Sequence, residues 1–302
     1  MGLSKRILIT GSNGLLGQKL IQQLHPHPNF ELIATSRGEN RIKKLKGFEY
    51  HSLDICSQKD VNDLIDQTLP DIVINTAAMT NVDACESDRE ACWKLNVDAV
   101  SYLIEACEKH QSHLIHISTD FIFDGKNGPY SEEDEPNPLS YYGKSKLASE
   151  ELVRKAQTKW AILRTVLVYG IVEDMSRSNI VLWAKGALEK KQNLKIVNDQ
   201  FRTPTLAEDL AVACVLAAEK EAQGIYNISG KDFMSIYELV KRVAAYYQLD
   251  TDTLQEVSSA DLDQPANRPP VTGFVLDKAI KDLGYKPHSF EEGIATLERQ
   301  LL

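Results

Sequence analysis

Cysteine is scarce in this sequence, and no run of apolar residues is long enough to cross a membrane. The five cysteines among 302 residues are odd in number and lack the close pairs typical of zinc sites or disulfide frameworks. They are Cys56, Cys85, Cys92, Cys107 and Cys214. The seven histidines also lack metal-ligand spacing, and we assign all of them to structural or surface positions. We therefore predict no metal site and a reducing compartment.

Positive charge is also limited, since 34 Lys and Arg residues face 43 Asp and Glu residues for a net charge of −9. Proteins that bind nucleic acid or a membrane surface favour a basic patch, so neither partner is expected. The N-terminus lacks the apolar stretch of a signal peptide, and we expect a cytoplasmic protein. The length allows one large domain or two small ones.

Short apolar runs alternate with helical patterns in the first half of the chain. This alternation predicts a doubly wound parallel α/β sheet with helices on both faces. The predicted strands are Arg6–Thr10, Glu31–Ser36, Phe48–Ser52, Asp71–Asn75, His113–Ser118 and Trp160–Val168. The predicted helices between them are Leu15–Leu24, Gln58–Thr68, Asp88–His110 and Tyr142–Ala156.

The alternation of apolar runs and helical patterns changes after about Gly170. Helical patterns then appear at Ser178–Lys190, Ala207–Glu219 and Ser235–Tyr247, with a proline-rich segment at Gln264–Val271. We predict a nucleotide-binding domain over residues 1–170. Residues 171–302 would mainly form a smaller substrate-binding lobe, from which strands and helices can return to the first domain.

A glycine-rich turn follows the first predicted strand and leads into the first predicted helix. It has the spacing G-x-x-G-x-x-G and comprises Gly11, Ser12, Asn13, Gly14, Leu15, Leu16 and Gly17. Glycines permit a tight turn and let the backbone approach a pyrophosphate, which the helix N-terminus then stabilises. The context of strand, turn and helix predicts dinucleotide binding in a Rossmann-like fold.

Tyr142 and Lys146 are spaced to share one face of a helix. A lysine ammonium about 5 Å from the phenol would lower the pKa of Tyr142 by roughly two units, towards the range suited to a general acid. Thr119 follows an apolar strand and is expected to donate a hydrogen bond to a substrate carbonyl. Ser118 is the alternative if the strand register slips by one residue. Tyr141 has no lysine four residues on, so we assign it to packing or substrate contact.

The end of the second strand indicates which dinucleotide would bind. Ser36 and Arg37 stand where NADP enzymes carry an arginine and NAD enzymes an acidic residue. Arg37 therefore favours NADP. The acidic Glu39 lies two residues further on, so NAD remains open.

The glycine turn and the Tyr-x-x-x-Lys motif together resemble the extended short-chain dehydrogenase/reductase superfamily. This resemblance implies an adenine contact at Asp54 and Ile55 and close backbone approach at Thr76, Ala77 and Ala78. It also implies that Asn96 disturbs its helix and holds a water in a proton relay to Lys146. Lys146 would bond the nicotinamide ribose as well.

Several longer segments are similar to the dTDP-4-dehydrorhamnose reductase family. They are residues 77–83, 118–125, 138–146 and 198–205, and Arg268-Pro269-Pro270 followed by Leu276-Asp277. The resemblance implies that Thr119, Tyr142 and Lys146 are catalytic and that a nucleotide-linked 4-ketosugar is reduced. The expected substrate contacts are Thr80, Asp120, Phe121 and Arg268.

The sequence departs from that family in two places. Leu167 replaces a tryptophan, and Met234-Ser235-Ile236-Tyr237 replaces a Thr-Ser-Trp stretch, which leaves the sugar open. An epimerase or dehydratase is one alternative, although dehydratases place an acidic pair after the threonine and here Phe121 follows Asp120. A non-catalytic NADP-binding regulatory subunit is the other alternative. The superfamily commonly forms dimers, and a homodimer is left open.

Overall fold

The fold is built on a central sheet of seven parallel strands. A computed structural model describes residues 4–174, 179–262 and 264–301. The strands are β1 (Lys5–Thr10), β2 (Phe30–Ser36), β3 (Glu49–Ser52), β4 (Ile72–Asn75), β5 (His113–Thr119), β6 (Trp160–Thr165), β7 (Val168–Tyr169), β8 (Leu194–Val197), β9 (Phe201–Arg202), β10 (Thr205–Leu206), β11 (Gly224–Ile228), β12 (Met234–Ser235) and β13 (Leu254–Val257). The sheet order is β3-β2-β1-β4-β5-β6-β11, which confirms the predicted doubly wound fold.

In the described part of the chain, ten α-helices surround this sheet and pack in the second half of the molecule. They are α1 (Leu15–Leu24), α2 (Gln58–Thr68), α3 (Val82–Ser87), α4 (Arg89–Trp93), α5 (Ala99–His110), α6 (Tyr141–Val153), α7 (Ile180–Glu189), α8 (Ala207–Glu219), α9 (Ile236–Tyr247) and α10 (Phe290–Leu301). Short 3-10 turns lie at Asp120–Ile122 and Ser259–Asp261, and π-helical turns at Lys94–Asp98 and Ala279–Leu283.

Each central strand is buried on both faces because its alternate side chains enter two different cores. On β1, Ile7 and Ile9 pack with α1 and α8, whereas Leu8 packs with α2 and α5. Burying each such side chain contributes roughly 1.5–3 kcal/mol. This explains why the strands read as continuous apolar runs rather than as alternating patterns.

The second half of the chain contributes to both parts of the molecule. Strand β11 pairs with β6 at the edge of the central sheet, and α8 packs against α1. A separate apolar core lies among α7, α9 and α10 and includes Val181, Val240 and Ile294. Thus β11 and α8, which follow residue 170, pack on the sheet and helix formed by residues before it.

Several predicted boundaries differ from the structure, including that of α6, which ends at Val153 rather than Ala156. The predicted helix Asp88–His110 divides into α4, a π-helical turn and α5. The predicted strand Trp160–Val168 ends at Thr165, because Leu167 adopts a left-handed backbone conformation with φ +38°. Helix α7 begins at Ile180, and Ser178, where that helix was predicted to start, lies outside the described residues.

His113 at the start of β5 should make the protein sensitive to acid. Burial lowers its pKa to about 4, whereas an unfolded histidine titrates near about 6.5. Between these values the unfolded chain binds a proton that the folded chain does not. Stability should therefore fall by up to about 1.4 kcal/mol per pH unit as the pH drops through this window.

Urea unfolding of His113→Leu from pH 7 to pH 4 tests this expectation. The variant should lose less stability than the wild type over the window, because it lacks the group that the unfolded state protonates. His25→Leu, at an exposed position, should keep the wild-type loss. An equally steep decline in His113→Leu would show that another group causes the acid sensitivity.

Candidate active site

The glycine-rich turn brings the ends of β1 and β4 into close contact. Gly11 has φ +70°, and a Cβ there would lie 2.8 Å from Thr76 Oγ1 and 2.9 Å from the Ala77 nitrogen. Gly14 precedes α1 and provides no side-chain cap for its first amides. The turn therefore leaves an uncapped helix N-terminus facing a narrow groove, which suits a phosphate.

A cavity of about 190 Å³ lies between the ends of the first strands. It is lined by Gly11, Gly14, Ser36, Arg37, Leu53, Asp54, Ile55, Thr76, Ala77, Ala78 and Leu95. Arg37 is exposed at its rim, just after β2. The residues predicted from strand ends and from the family resemblance are thus brought together on one wall.

Other residues of the glycine motif have supporting positions. Asn13 Oδ1 accepts a hydrogen bond from the Arg41 amide at 2.9 Å, and its Nδ2 donates to the Glu39 carbonyl at 2.9 Å. Ser12 and Gly17 are buried beneath the turn. Asn13 therefore holds the loop that follows Arg37, and Ser12 and Gly17 support the turn from below.

A second cavity of about 550 Å³ contains the predicted catalytic residues. Thr119 ends β5, while Tyr142 and Lys146 lie in the first two turns of α6, and all three side chains line this cavity. Ser140 caps α6 by accepting a hydrogen bond from the Gly143 amide at 3.1 Å. A Cβ on Gly143 would lie 2.2 Å from the Phe121 carbonyl oxygen, so this glycine lets α6 approach the end of β5.

The Thr119 hydroxyl is already engaged by its neighbours. It donates to Asp120 Oδ1 at 3.1 Å and accepts from the Phe121 amide at 3.2 Å. The other Asp120 oxygen accepts a short hydrogen bond from Thr272 and lies 3.8 Å from Arg202 Nε. Burial raises the pKa of Asp120, and the Arg202 guanidinium acts in the opposite direction.

Burial dominates the electrostatics of Tyr142. It raises the pKa of the phenol well above its ordinary value, and a hydrogen bond with Thr119 only partly opposes the rise. The predicted lowering of this pKa by Lys146 is therefore wrong. The phenol stays protonated at neutral pH, as a proton donor requires.

Lys146 instead lies against a histidine that sequence reasoning had assigned to structure or surface. Its Nζ is 3.0 Å from His116 Nε2, and both side chains are buried. Burial lowers the pKa of Lys146 to about 8, while the nearby Glu150 and Cys92 raise it. The signal in the sequence was a polar side chain inside an otherwise apolar strand.

Asn96 lies in the π-helical turn, where the resemblance predicted a disturbed helix. Its Oδ1 accepts from the Met79 amide at 2.8 Å, and its Nδ2 donates to the Met79 carbonyl at 3.1 Å and to Ser145 Oγ at 3.0 Å. Asn96 therefore ties the loop after β4 to α6. Its role in a water relay stays a prediction.

The expected substrate contacts Thr80, Asp120, Phe121 and Arg268 also line the larger cavity. Arg268 Nη2 is 2.6 Å from Asp83 Oδ2, so its guanidinium is held by an ion pair at the cavity wall. Sequence reasoning assigned no role to Arg202, which is buried beneath Asp120 and donates to the carbonyls of residues 201, 269 and 270.

Tyr141 lies outside this cavity lining. Its ring packs against Trp93, and the Arg89 guanidinium lies 5.1 Å from the ring centroid. The structure thus assigns the two adjacent tyrosines to different environments, and only Tyr142 is directed to the cavity.

Across residues 4–174, 179–262 and 264–301, no three His, Cys, Asp or Glu side chains converge in a way that could hold a metal ion. Among the helices of these same ranges, none combines the length and apolar character needed to span a bilayer.

Comparison with known proteins identifies related sequences over almost the whole chain. The family model described as RmlD substrate binding domain matches residues 5–302. The dTDP-4-dehydrorhamnose reductase of Aggregatibacter actinomycetemcomitans is 31% identical, covering 97% of this chain and 98% of that protein. The methionine adenosyltransferase 2 subunit beta of Danio rerio is 32% identical, covering 88% of this chain and 81% of that protein.

A solved structure shows the same arrangement. The dTDP-4-dehydrorhamnose reductase of Bacillus anthracis, crystallised in complex with NADP, superposes with a TM-score of 0.86. It is 27% identical and covers 99% of this chain and all of that chain. The similarity therefore extends over both the sheet and the second lobe.

Proposed function

Since the chain belongs to the RmlD substrate binding domain family, we propose that it reduces the C4 ketone of a nucleotide-linked deoxysugar with NADPH. The preferred substrate in this proposal is dTDP-4-dehydro-β-L-rhamnose. The single observation that carries the proposal is the convergence of Thr119, Tyr142 and Lys146 on one cavity beside the glycine turn.

The groove beside the glycine turn fits a dinucleotide. Gly11 lets the ends of β1 and β4 approach closely, and the first amides of α1 have no side-chain cap, so these amides can bind a pyrophosphate. Arg37 at the rim offers the cation that a 2′-phosphate requires. Asp54 lies at the same rim, on the adenine side expected from the resemblance. When bound, the nicotinamide supplies hydride to the ketone carbon.

Tyr142 and Thr119 would interact with the ketone oxygen of the substrate. Tyr142 keeps its phenolic proton at neutral pH and donates it to the oxygen as negative charge develops there. Thr119 must turn its hydroxyl from Asp120 towards that oxygen to share the same charge. Phe121 packs its ring 5.8 Å from that of Tyr142 and helps exclude water.

The dehydratase alternative is disfavoured by the surroundings of Asp120. Its carboxylate is buried and already bonded to Thr119 and Thr272, with Arg202 behind it. A general acid must be within reach of the proton it transfers, and these contacts direct the carboxylate away from such a role.

A non-catalytic regulatory subunit is the second candidate function. The similarity to methionine adenosyltransferase 2 subunit beta supports it. The convergence of Thr119, Tyr142 and Lys146 on one cavity supports the reductase instead, since cofactor binding alone does not require a proton donor there. Turnover of a ketosugar would distinguish the reductase from the regulatory subunit.

Replacing Tyr142 with Phe should lower kcat by on the order of 10²-fold or more, because the proton donor is lost. NADPH affinity should change little, since the ring remains. Tyr141→Phe is the matched control, because the neighbouring hydroxyl lies outside the cavity lining, and it should retain wild-type turnover. The rate of steady-state NADPH oxidation is measured for the wild type and for both variants. Full turnover by Tyr142→Phe would contradict the assignment.

Replacing Arg37 with Asp should shift cofactor preference from NADPH towards NADH, because a carboxylate repels the 2′-phosphate that the guanidinium attracts. The ratio of kcat/KM values for the two cofactors measures the shift. Arg6→Asp changes the net charge equally at the opposite end of β1 and should leave the ratio unchanged. An identical ratio in Arg37→Asp and the wild type would rule out this role for Arg37.

The substrate is tested by following NADPH consumption with the dTDP-linked 4-ketosugar generated in situ by upstream enzymes. Consumption that depends on Tyr142 is the expected result. Turnover only with a 4-ketosugar of another nucleotide would retain the reaction and reject the named substrate. NADPH binding without turnover of any ketosugar would favour the regulatory subunit.

A further inference from the structure

His116 is the buried partner of Lys146 and connects it to the central sheet. On one side of the imidazole, Asn75 Nδ2 donates to Nδ1 at 3.1 Å. On the other side, Nε2 lies 3.1 Å from Ser149 Oγ and 3.0 Å from Lys146 Nζ. The imidazole thus bridges β4 and α6 behind the cavity that Lys146 lines.

The orientation of Asn75 decides which imidazole nitrogen carries the proton. Its Oδ1 accepts from the Ala77 amide at 3.2 Å and from Thr10 Oγ1 at 2.6 Å. A backbone amide can only donate, so the side-chain NH₂ of Asn75 must face His116. Nδ1 is then an acceptor, and the proton of the neutral ring lies on Nε2.

That tautomer constrains Lys146. Ser149 Oγ donates its own proton to the Lys146 carbonyl at 2.7 Å, which leaves it able to accept from Nε2–H. A lysine ammonium has three donors and no acceptor, so at 3.0 Å it would direct N–H towards N–H. A neutral amine instead offers a lone pair to Nε2–H.

We propose that His116 is a positioning residue that presents Nε2–H to Lys146 and favours the neutral amine over the ammonium, so that NADPH binding becomes sensitive to loss of the lysine proton at alkaline pH. This inference rests on the proposed function, because NADPH is the ligand that would engage Lys146. At alkaline pH, where the free protein holds the amine, Lys146 takes one proton from solvent on binding to become an ammonium. The imidazole remains neutral, and its Nε2–H turns to Ser149.

The other groups around Lys146 act in known directions. Burial lowers its pKa to about 8. Glu150 on α6 raises the pKa, although that carboxylate is itself paired with the buried Arg164 of β6 at 2.8 Å. Cys92 of α4 raises it as well, and Tyr142 and Asp120 lie further along the same cavity. The lysine therefore titrates within an accessible pH range.

NADPH fluorescence titrations from pH 7 to pH 10 test the inference without any sugar substrate. In the wild type, affinity should fall about tenfold per pH unit above an inflection near pH 8, because the amine must first be protonated. Calorimetry at about pH 9, in buffers of different ionisation enthalpy, should show proton uptake on binding. Lys146→Met should show neither the inflection nor the uptake.

Two substitutions test whether the tautomer of His116, rather than the packing around it, sets the pH of the inflection. Asn75→Asp presents only acceptors to Nδ1, so the imidazole proton moves there and Nε2 can accept from an ammonium. The inflection should rise by at least one pH unit, which preserves about tenfold more affinity at pH 9.5. His116→Gln can keep an acceptor towards Asn75 and a donor towards Lys146, and should retain the wild-type inflection.

His116→Ala tests the same point without adding a charge. It removes the Nε2–H donor and should also raise the pH of the inflection. His113→Leu is the matched control, because this buried histidine lies on the same strand and points to the opposite face. It should leave the inflection unchanged.

An inflection that is the same in the wild type, Asn75→Asp and His116→Ala would overturn the inference while leaving NADPH binding intact. Failure of the wild type to bind NADPH at any pH would overturn the proposed function, and with it the inference. The two failures are therefore distinguishable from the titrations alone.

Discussion

The parallel direction of the seven central strands is the constraint on which the site depends. Because the strands run the same way, their carboxyl ends meet at one edge of the sheet, where chain segments distant in sequence become neighbours. Gly11 follows β1, Thr76 follows β4, and Thr119 ends β5. The groove beside the glycine turn and the cavity lined by Thr119, Tyr142 and Lys146 both result from this arrangement of strands.

Burial then determines the chemistry of the side chains at that edge. A line of hydrogen bonds runs from Thr10 through Asn75 and His116 to Lys146, joining β1, β4, β5 and α6. Such a chain satisfies polar groups that water cannot reach, and each member restricts the proton positions of the next. The same burial keeps the proton on Tyr142 and disfavours the charge on Lys146.

The second half of the chain brings two arginines to the carboxyl ends of the strands, and one of them, Arg268, lines the cavity. Arg202 reaches Asp120 from beneath, and Arg268 pairs with Asp83 at the cavity wall. A buried guanidinium costs free energy unless it is bonded, and the carbonyls around residue 270 supply those bonds for Arg202. The proline-rich segment thus serves to hold the arginines at the catalytic end of the sheet.

The sequence by itself determined the strand and helix pattern, the glycine turn and the shared cavity of Thr119, Tyr142 and Lys146. Local periodicity and fixed spacing encode these features, since one helix face or one strand end is set by a few neighbouring residues. Only the tertiary structure decided which partner Lys146 meets. His116 is 30 residues away along the chain, and Thr272 bonds Asp120 across 152 residues. Contacts between distant segments depend on how the layers pack, and so does the burial that raises the pKa of Tyr142, because neither is encoded in any short stretch of residues.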